Sequence, residues 1–213
     1  MLPLVLLLVT SDPGQALLDA ARPLVGTTYD LGARLQRGRG TDCQGIIFYA
    51  AERLQRCTWR SFSVMPTTTV EARELGRPVA GASPMLTRAL DVSRLEPGDV
   101  ILFLGTSENP AEAALTVLDD EPAWVWHMGI YAGAGRVLHA SPFAGVVLEE
   151  DLKALLVEHE DWVQGITALR LDGPPRPRIC RGGPRMPTVP AAAGLTSRPA
   201  TTTPARVPRA PRR

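Results

Sequence analysis

The stretch Thr41-Asp-Cys-Gln-Gly-Ile-Ile-Phe-Tyr-Ala-Ala-Glu-Arg-Leu54 constrains this chain more than any other. Gly38 and Gly40 break the segment before it. Thr41 or Asp42 can then cap a helix, because a short side-chain oxygen accepts from a backbone N–H that the first turn leaves unpaired. Ile46, Ile47, Ala50, Ala51 and Leu54 recur at three-to-four spacing, so a helix with one buried face is predicted. Cys43 falls at its amino end, where free N–H groups and the helix dipole favour negative charge. Such a setting is expected to lower a thiol pKa, and the thiolate is the nucleophilic form. The competing reading is a small hydrophobe in a core, which describes most lone cysteines.

The rest of the chain decides between them. A length of 213 residues suits one domain with appendages, and a net charge of +1 argues against a dedicated nucleic-acid binder. The three cysteines, Cys43, Cys57 and Cys180, allow one bridge, Cys57 to Cys180, with Cys43 left free. Residues 1–10 hold a short apolar run that resembles a secretory signal without its charged start, or else forms a buried strand; it is too short to span a bilayer. Export to a bacterial periplasm or envelope is the favoured expectation. Ser11-Asp12-Pro13 opens a helix that ends near Gly26. From 173 to 213 proline, arginine, alanine and threonine dominate, which predicts a disordered basic tail suited to an anionic polymer or surface. The domain itself is expected over 11–172.

Within it, Val70 to Leu75 suggests a short helix, and Leu95-Glu-Pro-Gly-Asp99 a turn that leads into the apolar strand Val100–Leu104. Gly105 to Trp126 is acidic and is expected to be an exposed excursion with a short helix. His127-Met-Gly-Ile-Tyr131 and Arg136-Val-Leu-His139 form a hairpin about Gly133-Ala-Gly135. Val146–Leu148 is a third short strand, Asp151–His159 a helix, and Val163–Leu171 a closing strand. The hairpin brings His127 and His139 close together, and a helix packed on this sheet would add Cys43. A cysteine nucleophile needs a base, and the base needs a third group to fix its ring; one imidazole can accept from another. A zinc site of Cys43, His127 and His139 with Cys180 or water is the alternative, although no Cys-x-x-Cys or His-x-x-x-His pair supports it. His159 reads as plain surface.

Gly26-x-x-Tyr29-x-x-Gly32, Asp42-Cys43-x-Gly45, Leu95-x-Pro-Gly-Asp99, His127-Met-Gly-Ile-Tyr131 and Gly135-x-Val-Leu-His139-Ala, in this order, resemble the NlpC-type cysteine peptidases of bacterial cell walls. The resemblance covers about Asp12 to Leu171. It implies an α+β, papain-like fold with a cysteine-bearing helix on a central antiparallel sheet. It also implies Cys43 as nucleophile, His127 as base and His139 as orienting residue, with no cofactor and no metal. Tyr29, Asp42 and Gln44 fall at family positions that line the substrate pocket. The implied substrate is the peptidoglycan stem peptide, cut at a γ-D-glutamyl bond to a diamino acid. A monomer is expected, with no nucleic-acid partner and no membrane span. Gln44 stands where the family usually has serine, Ala33 replaces a frequent glycine, and the 105–126 segment is long. A catalytically silent wall-binding module, or an amidase or acyltransferase on the same fold, remains the alternative.

Overall fold

A computed structural model describes residues 12–34, 39–55 and 57–177. The amino-terminal apolar run, Cys180 and the basic tail beyond 177 lie outside the described residues. In chain order the helices are α1 (Pro13–Ala21), α2 (Cys43–Gln55), α3 (Pro66–Glu71) and α4 (Leu152–Glu158). The strands are β1 (Arg77–Pro78), β2 (Met85–Leu86), β3 (Val100–Gly105), β4 (Thr116–Leu118), β5 (Glu121–Gly133), β6 (Arg136–Ser141), β7 (Val146–Asp151) and β8 (Gly165–Arg170).

Local signals start most of these elements. Asp12 caps α1 by accepting from Gln15 N, with Pro13 at the first helical position. Asp151 caps α4 in the same way. The helix expected over Val70–Leu75 lies earlier, at Pro66–Glu71, because Pro66 presets the first-turn φ. The strands form one antiparallel path, β1-β8-β3-β5-β6-β7, with β2 paired to β8 and β4 to β5.

The sheet separates two cores, as period-two alternation requires. On one face Leu102, Leu104, Met128, Ile130 and Leu138 meet α1 and α2. On the other, Ile101, Phe103, Val137 and Ile166 meet α4. Ile46, Ile47 and Phe48 of α2 are at most 1% exposed, and burying each stabilises by about 1.5–3 kcal/mol. The first turns of α2 are enclosed all round, from Gln44 to Ala51, rather than on one face only. The opposite edge is clamped by Arg170. Its guanidinium donates from Nε and Nη2 to the two oxygens of buried Asp99 at 2.9 and 2.8 Å, and also reaches Glu96 and the Arg94 carbonyl.

The 105–126 segment departs from expectation. It carries no helix; its second half is the β4–β5 hairpin, closed by Asp119 and Asp120, both at positive φ. It is stapled to α3: Thr67 N donates to Glu112 Oε2 at 3.0 Å and Thr67 Oγ1 to the Ala113 carbonyl at 3.1 Å. Cys57 is disulfide-bonded and Cys43 is a free thiol. No helix among the described residues is long and apolar enough to cross a membrane.

Candidate active site

Helix α2 starts where it does because Asp42 caps it. Oδ1 accepts from Gly45 N at 2.7 Å, and Oδ2 accepts from Gly32 N at 3.0 Å, which ties the Tyr29–Gly32 loop to the helix. Thr41 is occupied otherwise, pairing with Thr28 and Asp30 through its backbone. Gly45 is required by space: a Cβ there would stand 2.2 Å from Thr41 Oγ1. These contacts fix Cys43 at the first position of the helix.

The Cys43 sulfur lies against the backbone N–H of Met128 on β5 and that of Gln44. Because N of Met128 is bonded one residue from His127, covalent geometry puts the sulfur within about 6 Å of the His127 Cα. Its charge state is not the one expected from the helix start. Cys43 is only half-buried, but its surroundings desolvate the sulfur and push the thiol up to about 12; Asp42 adds to the rise, and the two N–H groups and Arg34 oppose it without prevailing. Helix-start donors act in the expected direction; desolvation of the anion outweighs them. Tyr29 sits in the same electrostatic neighbourhood. Its phenol is also pushed up to about 12, by burial first and then by Cys43, Asp42 and Asp30.

The two histidines come from the centre of the sheet. Phe103 pairs with His127 across β3–β5, and Gly129 with His139 across β5–β6. The β3–β5 register shifts between Phe103 and Leu104, so Trp126 and His127 together span the step. Gly129 leaves the space through which His139 reaches over β5. A Cβ there would meet Val137 Cγ2 at 2.7 Å and His139 Cβ at 3.1 Å. His127 Nε2 and His139 Nδ1 are 2.7 Å apart, with rings nearly perpendicular. Both imidazoles are buried, at 5% and 1% exposure, against Phe103. They lie on the α4 face of the sheet, among Phe103, Leu155 and Leu156, whereas α2, which carries Cys43, packs on the other face, where the sulfur reaches the β5 backbone at Met128. Burial, and then the neighbouring imidazole, hold His127 well below the ordinary value. His139 is lowered too, by burial, with Glu150 acting against it. At neutral pH the site therefore holds a thiol and two neutral imidazoles.

Three features escaped the sequence reading. Glu150 Oε1 lies 2.5 Å from His139 Nε2. Strand β7 runs to Asp151 rather than stopping at Leu148, and period two along Leu148-Glu149-Glu150 was the available signal. Arg34, at positive φ, donates from Nη2 to Gln44 Oε1, and Gln44 Nε2 donates to the Val64 carbonyl at 2.7 Å. The Gln44 amide thus joins two loops to α2. His159, expected as plain surface, stacks on Phe143 with ring centroids 3.8 Å apart.

No family model matches the chain. A probable endopeptidase of Corynebacterium glutamicum is 28% identical over 130 residues, covering 61% of this chain and 44% of the relative. The chain thus spans less than half the length of the curated relatives it matches. An N-acetylmuramoyl-L-alanine amidase of Bacteroides uniformis superposes with a TM-score of 0.53 at 13% identity, over 73% of this chain and 98% of that one. The NlpC/p60 domain of the peptidoglycan hydrolase SagA gives a TM-score of 0.45 at 18% identity, over 74% and 98%. The architecture is the α+β class expected, with a cysteine-bearing helix on a central antiparallel sheet. In motif order the chain is similar to the NlpC-type cysteine peptidases, and its curated relatives are named probable endopeptidases.

Proposed function

We propose that the chain is a cysteine hydrolase that cuts peptide bonds in peptidoglycan stem peptides, of the γ-D-glutamyl–diamino acid type. The observation that carries this reading is a free thiol at a helix start against the Met128 N–H of β5, the strand that also carries His127 of the buried His127–His139 pair. Curated relatives named as probable endopeptidases support the reaction class.

In this reading His127 acts through Nδ1, the ring nitrogen not engaged by His139. It takes the Cys43 proton as sulfur attacks the carbonyl, then delivers that proton to the leaving amine. Water then attacks the acyl thioester, with His127 again as base, and releases the acid and the thiol. His139 holds the His127 ring. The Cys43 backbone N–H faces the developing oxyanion. Since thiol and imidazole both rest neutral, proton transfer accompanies attack rather than preceding it. Tyr29, Asp42 and Gln44 are assigned to the substrate pocket. Asp42 contributes charge there while its oxygens hold backbone N–H groups, and Gln44 shapes the wall through Arg34 and Val64.

The test is digestion of purified wall and defined muropeptides, with products identified by mass spectrometry. The unsubstituted protein is expected to release stem fragments split between D-glutamate and the diamino acid, and Cys43→Ala none while it keeps its fold. Turnover by Cys43→Ala would remove the reading. Cleavage at the sugar–alanine amide instead would move the assignment to an amidase on the same fold.

A further inference from the structure

We propose that Glu150 is a positioning residue that sets the tautomer of both imidazoles, and so leaves Nδ1 of His127 free to take a proton. The inference rests on the thiol-hydrolase reading above and adds to it a residue outside the expected Cys43, His127 and His139.

The argument follows the hydrogens. A contact of 2.7 Å between His127 Nε2 and His139 Nδ1 admits one proton, and by itself it does not say which ring supplies it. If His139 donated, the neutral His127 ring would carry its hydrogen on Nδ1, and the base would be blocked. Glu150 removes that degeneracy. A carboxylate only accepts, so the 2.5 Å contact with His139 Nε2 requires the hydrogen on Nε2. Neutral His139 then has a lone pair on Nδ1. His127 must supply its Nε2–H to that lone pair, and its own Nδ1 is left bare. When His127 accepts the Cys43 proton it becomes an imidazolium, and the carboxylate at the far end of the chain opposes that new charge.

The strand register makes the contact specific to this position. His139 faces Leu148 directly across β6–β7. Glu150 is two residues further on the same face of β7, which places it diagonally over His139. Its neighbours Glu149 and Asp151 are engaged elsewhere: the former with Arg22 and through its carbonyl with Arg136, the latter as the cap of α4. His139 is 1% exposed while the Glu150 side chain is 31% exposed, so the chain of hydrogen bonds starts at the surface and ends inside. A purely structural surface pair would hold the strands together without dictating where the hydrogens lie.

The experiment uses the full chain labelled with 15N-histidine. Long-range 1H–15N correlation at pH 7.5 reports which ring nitrogens carry hydrogen, alongside muropeptide turnover and thermal midpoint. In the unsubstituted protein His127 and His139 should each show a protonated Nε2 and a bare Nδ1. Glu150→Ala should mix the tautomers of both rings and lower kcat by roughly tenfold or more, with KM little changed. Glu150→Gln, whose amide oxygen still accepts, should recover part of both effects, and it serves as the informative variant if alanine unfolds the chain. An unaltered ring pattern in Glu150→Ala, or in Glu150→Gln an unaltered pattern together with full turnover, overturns the role of Glu150. Since the ring signals do not require turnover, failure of the unsubstituted protein to cut muropeptides would count against the proposed function instead.

Discussion

Asp42 is the residue where stability and reactivity pull in opposite directions. Its carboxylate is 2% exposed and accepts two backbone hydrogen bonds, from Gly45 at 2.7 Å and Gly32 at 3.0 Å. Each hydrogen bond to a charged group contributes about 1.5–3 kcal/mol, and loss of an N-cap alone costs about 0.5–2. Asp42→Ala removes both contacts and leaves the Gly32 N–H without its acceptor. A loss of about 3 kcal/mol is expected, which is roughly 150-fold in the unfolding equilibrium. Asp42→Asn keeps one oxygen for the cap but turns an N–H toward the other donor, so about half that loss is expected. The charge is removed in both variants. Asp42 is second only to burial in raising the Cys43 thiol toward about 12, so that thiol should titrate lower in Asp42→Asn. Urea unfolding reads the first effect, and the pH dependence of iodoacetamide labelling reads the second. A variant that is as stable as the parent, or labels no faster at pH 9, would show that the cap and the field at the sulfur have been misread.

Four further outcomes follow from the same geometry. At pH 8 the unsubstituted Cys43 should alkylate at least about tenfold more slowly than free cysteine, because so little of it is thiolate; equal rates would contradict its burial. His127 and His139 are held below an unfolded value near 6.5, so the stability from keeping them neutral is complete above that pH. It is lost as pH falls below 6.5, by about 1.4 kcal/mol per pH unit for each ring; urea midpoints at pH 7.5 and 5.5 test this, and a flat profile would refute it. Gly129→Ala should displace His139 and abolish turnover while far-UV circular dichroism stays native-like. Arg170→Ala should cost about 3 kcal/mol by leaving Asp99 buried without its partner, and Arg170→Lys should restore little of it, since one ammonium cannot replace a two-pronged contact.

What was legible beforehand had short-range causes. The starts of α1 and α4 are set by an aspartate three residues before the N–H it accepts, and α2 by Asp42 in the same manner. The β5–β6 hairpin is announced by Gly133 and Gly135, both at positive φ. The closeness of His127 and His139 is legible because a two-stranded turn has few registers. What escaped depends on distant partners. The acidic run Glu149-Glu150-Asp151 hides the end of a strand, since β7 is held in place by β6 and not by its own side chains. The 105–126 segment looks like a solvated loop until Thr67, far away in the chain, meets Glu112 and Ala113. The thiol pKa departs from the helix-start expectation for the same reason: the dipole is local to α2, whereas the desolvation that outweighs it comes from residues distant in the chain.

The raised pKa of the Cys43 thiol also bears on how long it survives as a thiol. Peroxides attack the sulfur anion, and the first product, a sulfenic acid, leads on to irreversible oxyacids. A sulfur that stays protonated offers those oxidants almost nothing. The same chain thus holds one sulfur already oxidised, Cys57 in its disulfide, and one whose protonation withholds it from oxidants.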